Sequence, residues 1–366
     1  MQQTPKKIII LHDYFESLEG GGRLSSVLAE GLNAALACGF ATKHHPFTHT
    51  ARQQGQFYSL DSRSTIPLWR QYRLAQAFQG KTGFLQNYAT AIYSGFYSPL
   101  AIKQHQQGRN ILYCHTPPRF IYDQRDFYLS QIPAPLRPLL NAFSDWLQPR
   151  YEQAVQQMDV VIANSQNIQQ RIQHYLKQDA QVVYPPCDTQ ALRWLGQGDY
   201  YLSTGRLDPL KRVDRLVQAF LQMPDKKLLI TSGGPELKRL QGMAAAADNI
   251  QFSGWLDDAA LKKLIGNAIA TLYIPKDEDF GMSPVESMAA GKPVIGVAEG
   301  GLLESIIAEE TGFLLPPDPS VEQIIAAVTA MTPQQARFMR SACEKQAQGF
   351  DQRYFIEQMR EIIWSK

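Results

Sequence analysis

A chain of 366 residues, 44% hydrophobic and 19% charged, is long enough for two domains with separate cores, and its formal net charge of +2 argues against nucleic acid as a partner. No run approaches the length of a transmembrane helix, and the first residues lead directly into a strand without a signal-peptide core, so a cytoplasmic location is expected. The 4 cysteines (Cys38, Cys114, Cys187, Cys343) lie far apart with no C-x-x-C spacing, which argues against a zinc framework and fits a reducing compartment.

Lys6 to Phe15 is an apolar, β-branched run that predicts a buried strand. It leads into Glu19-Gly20-Gly21-Gly22-Arg23 and a helix with Leu24, Val27, Leu28, Gly31 and Leu32 on one face. A glycine turn between first strand and first helix is the arrangement that cradles phosphate, although a plain tight turn accounts for it equally well and the G-x-G-x-x-G fingerprint is absent. Strand pieces near Phe40–His44 and Thr90–Tyr93 alternate with helices near Trp69–Phe78 and Pro99–Gln106. No acidic residue falls between Asp61 and Asp123, whereas Arg63, Arg70, Arg73, Lys81, Lys103, Arg109 and Arg119 do, interleaved with Trp69, Tyr72, Phe78 and Phe84. Such a segment suits an anionic, partly apolar partner such as a membrane surface; its bland alternative is a solvated basic face over core aromatics. Asn110–Cys114 predicts another buried strand, with His115 and Thr116-Pro117-Pro118-Arg119 at its carboxyl end, where ligands bind in open α/β sheets. Alternation puts Cys114 and His115 on opposite faces, which sets aside a Cys–His nucleophile. A helix over Pro133–Gln157, a strand at Asp159–Ala163, a helix from Ser165 through Leu176 and a strand at Val182–Tyr184 follow, and Asp188–Asp199 is the expected linker.

The second half alternates more cleanly. Strands are predicted at Tyr200–Ser203, Lys227–Thr231, Asn249–Phe252, Thr271–Ile274 and Pro293–Val297. Helices are predicted at Val213–Leu221, Glu236–Ala246, Asp258–Ile265, Pro284–Ala290 and Leu302–Ala308, followed by three more near 320–331, 333–348 and 351–365. This pattern implies a parallel sheet covered on both faces. Arg206 and Lys211 flank the turn after Tyr200–Ser203, where a guanidinium, an ammonium and a helix N-terminus together suit a diphosphate. Glu278 and Glu286, with seven residues between them, stand on either side of the Gly281 turn, and a carboxylate can accept from both hydroxyls of a vicinal diol. Two diols joined by phosphate describe a sugar nucleotide. Ser283-Pro284-Val285-Glu286 also reads as a capping box, which would make Glu286 structural.

Gly205-Arg206…Lys211, Glu278…Glu286, Ala289-Ala290-Gly291-Lys292-Pro293-Val294 and Gly300-Gly301…Glu304 together resemble the retaining glycosyltransferases of family 4, with a GT-B fold: two Rossmann-like parallel-sheet α/β domains facing each other across a cleft. Tyr113–Arg119 with Asp123, and Val161–Ser165, resemble the mannosyltransferases of O-antigen and exopolysaccharide assembly. The resemblance implies an acceptor-binding domain over 1–190, a nucleotide-sugar domain over 191–348 and a terminal helix over 349–366 that crosses back to the first domain. It implies that Glu286 holds the ribose, that Glu278 with Phe280, Gly281, Met282 and Ser283 holds the sugar, and that Arg206 and Lys211, with Gly205, bind the diphosphate. Gly21 and Gly22 would add backbone amides, His115 would face the reacting sugar, and the loops at Gly234 and Gly254-Trp255 would face the base. Arg23, where relatives often carry Ala or Glu, joins Arg119 and Asp123 on the acceptor side. The implied activity needs no metal and no cofactor beyond the donor, with mannose from GDP-mannose the first expectation, and a saccharide or lipid-linked acceptor at the inner membrane face. Competing readings are a UDP-sugar transferase, a sugar-nucleotide epimerase, a non-catalytic nucleotide-binding protein, and a GT-A enzyme using the Asp277-Glu278-Asp279 carboxylates on a divalent ion.

Overall fold

The computed structural model describes residues 7–17 and 19–365. The chain divides into two compact units: one runs to Tyr184 and takes up the chain again from Phe355, and the other is Pro185–Tyr354.

The first unit holds a seven-stranded sheet of β1 (Ile8–Phe15), β2 (Ala35–Ala41), β3 (Phe57–Ser59), β4 (Thr90–Ser94), β5 (Arg109–Cys114), β6 (Val160–Ala163) and β7 (Gln181–Val182). Its order is β3-β2-β1-β4-β5-β6-β7 and every pairing is parallel. A parallel sheet must be covered on both faces, and β1 shows how the sequence arranges this. Ile9 and Leu11 enter one apolar cluster with Phe78, Leu112 and Leu147, while Ile8 and Ile10 enter the other with Leu28, Tyr113 and Met359. The helix Gln352–Trp364 supplies Phe355, Met359 and Ile363 to that second cluster. The close approach is possible because Gly31 has no Cβ, which would collide with Ile356.

Several boundaries differ from expectation. The expected start of the first strand, Lys6, lies outside the described residues. The strand expected at Phe40–His44 starts earlier, at Ala35, and the strand expected at Val182–Tyr184 is Gln181–Val182. Pro99–Gln106 is a 3-10 turn, Ser98–Gln104. The helix expected from Pro133 begins at Arg137 and runs through Pro149 to Gln156. Ser165 does cap the next helix, accepting from the Ile168 N–H at 3.1 Å, but that helix passes into a π-turn at Ile172–Leu176. Gly20–Gly22 are no turn: they are the first turn of the helix Gly20–Leu32.

The second unit holds β8 (Tyr200–Ser203), β9 (Lys227–Thr231), β10 (Ile250–Gly254), β11 (Thr271–Leu272), β12 (Val294–Val297) and β13 (Gly312–Leu315). They pair in parallel in the order β10-β9-β8-β11-β12-β13. β13 was not expected; its edge position is reached because Gly312 leaves room for the Val294 carbonyl, which any Cβ would strike. The stretch 188–199 packs on this unit: the Leu195 N–H donates to the Gly266 carbonyl at 2.9 Å, and Lys292 Nζ to the Gly196 carbonyl at 2.5 Å. Among the described residues, no helix is long and apolar enough to cross a membrane.

Each sheet has a switch point, where the strand order reverses between neighbours: β1 and β4 in the first unit, β8 and β11 in the second. In open α/β sheets ligands bind beyond the carboxyl ends of the strands at such a point. The chemistry-bearing residues collect at these two places.

Candidate active site

In the second unit, Lys211 and Glu278 meet at the switch point. Lys211 Nζ donates to Glu278 Oε2 at 2.6 Å and to the Tyr273 hydroxyl at 3.0 Å. The two charged side chains keep 21% and 18% exposure, so the pair is sheltered yet reachable from solvent. Burial opposes the ammonium charge, but Glu278 and Tyr273 outweigh it and hold Lys211 above its ordinary value, so it stays cationic. Gly205 sits beside the pair, 3.4 Å from the Tyr273 ring and 3.7 Å from Lys211 Cβ as measured from where its own Cβ would be.

The loops that carry these groups are stitched to one another. The Lys276 N–H donates to the Leu210 carbonyl at 2.7 Å. Arg212, with a left-handed φ of 52°, turns its guanidinium inward to the Pro275 and Pro317 carbonyls at 2.5 and 2.7 Å, and to Glu299 at 3.2 Å. Glu299 in turn accepts from the Asp277 N–H at 3.1 Å. Ser232 Oγ donates to the Gly205 carbonyl at 2.7 Å, and the Ser232 N–H donates to Gly254, tying the loops after β8, β9 and β10 together. Gly234 and Gly300 press directly on backbone, at Leu207 and Glu278 respectively, and both have φ values (155° and 57°) that favour glycine. Gly234 and Gly300 are thus spacers that let the loops close on each other.

Glu286 lies on the helix Met282–Ala289, whose N-cap is Gly281 at φ 88°. The expected capping box is not formed: the helix starts two residues before Pro284, so Ser283 is already helical and cannot cap, and no side-chain cap bond is present at Gly281. Pro284 falls in the first turn, where a missing N–H is tolerated. Phe280 is buried, 5.5 Å from the Phe350 ring. Arg206 is 56% exposed and pairs with Asp208 at 3.2 Å. Trp255, which follows the edge strand β10, is exposed, with its indole against Gly233.

In the first unit, Gly21 packs against two imidazoles; its Cβ would lie 3.4 Å from both His115 Nε2 and His12 Cε1. Its amide and that of Gly22 belong to the open N-terminal turn of the helix. His12 Nδ1 lies 2.6 Å from the Ser94 carbonyl, Ser94 Oγ 2.8 Å from His115 Nε2, and Ser25 Oγ 2.9 Å from Ser94 Oγ. Burial, opposed for His12 by the Ser94 carbonyl, lowers His12 to about 4; burial and the nearby His12 lower His115 to about 3. Both rings are therefore neutral at pH 7. Next in β1, the buried Asp13 carboxylate accepts the N–H groups of Phe96, Tyr97 and Ser98 at 2.6, 2.9 and 2.9 Å. Burial pushes its carboxyl up to about 6 against the pull of those three donors. Arg119 pairs with Asp123 at 2.8 Å, and Arg171 reaches the same carboxylate at 3.5 Å. Arg23 is half-buried on the same helix as Gly21.

Tyr273, Arg212, Ser232 and Glu299, and in the first unit His12, Asp13, Ser25 and Ser94, went unnoticed in the sequence. Only two carried a visible signal: His12 and Asp13, a polar pair inside the apolar run Ile8–Phe15, are an interruption that a fully covered strand does not tolerate without partners.

Comparison with known proteins fits this geometry. Residues 186–349, which include Lys211, Glu278 and Glu286, match the family model described as "Glycosyl transferases group 1". The alpha-1,3/1,6-mannosyltransferase ALG2 of Mus musculus is 28% identical over 58% of this chain and 57% of its own length. A D-inositol 3-phosphate glycosyltransferase of Mycobacteroides abscessus is 32% identical over 39% of this chain and 34% of its own. The chain spans a little over half the length of the ALG2 relatives it matches. Among solved structures, Anabaena HepE in complex with UDP and glucose superposes with a TM-score of 0.76 at 16% identity, over 99% of this chain and 100% of that one. Sucrose-phosphate synthase of Thermosynechococcus elongatus gives 0.79 at 17% identity over 98% of both chains. The chain has the GT-B fold, two Rossmann-like parallel-sheet domains, and its second unit is similar in sequence to the group 1 glycosyl transferases.

Proposed function

We propose that this protein is a glycosyltransferase that binds a nucleotide sugar at the carboxyl ends of β8 and β11 and transfers its hexose with retention of configuration, as in family 4. The observation that carries the reading is the Lys211–Glu278–Tyr273 cluster at the switch point, inside the segment that matches group 1 glycosyl transferases. Departure of a nucleoside diphosphate builds negative charge on the leaving phosphate, and a pre-oriented ammonium stabilises that charge without reorganising. Glu278 and Tyr273 hold Lys211 charged and aimed; Arg206, more exposed, would close on the diphosphate when the donor arrives. Glu286 would take the ribose hydroxyls, and Phe280–Ser283 would offer the sugar its backbone groups. Gly21 and Gly22 would supply first-unit amides to the donor, and the Gly234 and Gly254-Trp255 loops would face the base. Arg23, Arg119 and Asp123 would border the acceptor. With the fold GT-B, the GT-A reading of Asp277-Glu278-Asp279 falls away.

Mannose from GDP-mannose is the first donor reading, supported by the mannosyltransferase relatives. A UDP-hexose is the second, supported by the UDP-glucose complex of the HepE fold neighbour. The acceptor reading is a saccharide or lipid-linked saccharide of cell-surface polysaccharide synthesis. Exposed Ile66, Trp69 and Tyr72, set among Arg63, Arg70 and Arg73, would meet an anionic membrane surface from the cytoplasmic side. A panel of nucleotide sugars, assayed by melting shift and by release of nucleoside diphosphate, is expected to single out one donor. Anionic vesicles included in the same assay are expected to sediment with the protein. Tight binding with no turnover on any acceptor would favour a non-catalytic role, and turnover of donor to an isomer without acceptor would favour an epimerase.

A further inference from the structure

The hydrogen bonds around His115 allow a single arrangement of protons. Ser25 Oγ lies 2.9 Å from the Gly21 carbonyl oxygen, one helical turn back. A carbonyl only accepts, so the Ser25 hydroxyl proton is committed there. Ser25 Oγ also lies 2.9 Å from Ser94 Oγ, so Ser94 must donate to Ser25. With that proton committed, the 2.8 Å contact between Ser94 Oγ and His115 Nε2 requires the imidazole to donate. The same logic gives His12 an Nδ1–H, which points at the Ser94 carbonyl at 2.6 Å with Ser25 Oγ as a weaker second acceptor at 3.2 Å. Each hydroxyl proton in the chain is used once, and Ser25 and Ser94 are both fully buried, so no water competes for them.

We propose that Ser25 and Ser94 are positioning residues that lock His115 as its Nε2–H tautomer, so that Nδ1 is presented as a lone-pair acceptor for a neutral hydroxyl of the substrate. Among the described residues His115 Nδ1 carries no hydrogen bond, while Nε2 is occupied by Ser94. An unprotonated nitrogen attracts a hydroxyl proton and repels a phosphate oxygen, so this face of the site selects sugar rather than diphosphate. Burial and the neighbouring His12 keep the ring neutral, so the lone pair persists at physiological pH. The chain begins at a carbonyl of the helix turn that also carries the Gly21 amide, which couples the direction of His115 to the seating of that helix. Assigning the hydroxyl to a sugar rests on the transferase reading; the tautomer does not.

The test is long-range nitrogen–proton NMR of protein labelled with 15N-histidine, with His115→Gln used to assign the ring. Wild type is expected to show His115 neutral at pH 7 with the proton on Nε2. In Ser25→Ala the Ser94 hydroxyl loses its acceptor and becomes able to donate to His115, so the ring is expected to shift towards the Nδ1–H form, and donor turnover to fall about tenfold. Ser25→Thr, which keeps the hydroxyl, is expected to restore both. A wild-type His115 protonated on Nδ1 or charged at pH 7 would overturn the proposal, as would an unchanged tautomer in Ser25→Ala. The proposed tautomer in a protein that turns over no nucleotide sugar would instead overturn the transferase reading and leave the lock standing.

Discussion

Lys211→Met is expected to lower turnover of the nucleotide sugar by about 10²- to 10³-fold while leaving the fold intact. The substitution removes the ammonium that Glu278 and Tyr273 orient together, and the methionine keeps most of the side-chain volume. Removing one partner of a fully buried ion pair costs about 3–5 kcal/mol. Here Lys211 and Glu278 are 21% and 18% exposed, so the stranded carboxylate can draw on water and a smaller loss of about 1–2 kcal/mol is expected. A melt and a rate on the same sample separate the two effects. Near-normal kcat in a well-folded Lys211→Met protein would remove Lys211 from the chemistry.

Asp13→Ala is expected to have the largest effect on folding. The carboxylate is 6% exposed and is the acceptor for three consecutive backbone N–H groups just after β4. Gly95 stands at its shoulder, where a Cβ would collide with the carboxylate oxygens, so the turn is moulded around this side chain. Alanine would strand donors that cost about 1–3 kcal/mol each when left unpaired. Even at the low end the sum is a large share of the roughly 5–15 kcal/mol that holds an ordinary domain together. Urea titration of wild type and Asp13→Ala, followed by far-ultraviolet dichroism, is expected to show the first unit unfolded or melting far below the second. Asp13→Asn, which keeps one acceptor oxygen, should fall between them. A wild-type midpoint in Asp13→Ala would show that water or a shifted loop satisfies those amides.

The sequence made β1, β5, β8 and β12 easy to read because each carries a run of apolar or aromatic residues inside the strand–helix alternation. The edge strands β3 and β13 escaped notice: β3 has only three residues, and in β13 Gly312 looks like a loop residue until Val294 is known to lie beside it. Lys211 and Arg212 stand side by side in the chain, and only the left-handed backbone at Arg212 sends one towards Tyr273 and buries the other under Pro275 and Pro317. Local pattern cannot assign those roles. The capping box at Ser283 was locally sound, but the helix begins earlier because Gly281 can adopt φ 88° and open it from Met282. Ser25 and Ser94 were invisible for a different reason. They are separated by 69 positions, and a serine in a helix or at a strand end is common, so only the parallel pairing of β1 with β4 brings them together.

The most direct measurement is calorimetric titration of the preferred nucleoside diphosphate and its sugar into wild type and Glu286→Gln, with a melt of each protein. If the second unit grips the donor through Glu286 as well as Lys211, the variant should lose about tenfold or more in affinity for both ligands while its melting temperature stays near that of wild type. Unchanged affinity, or a loss of stability with binding intact, would contradict the account.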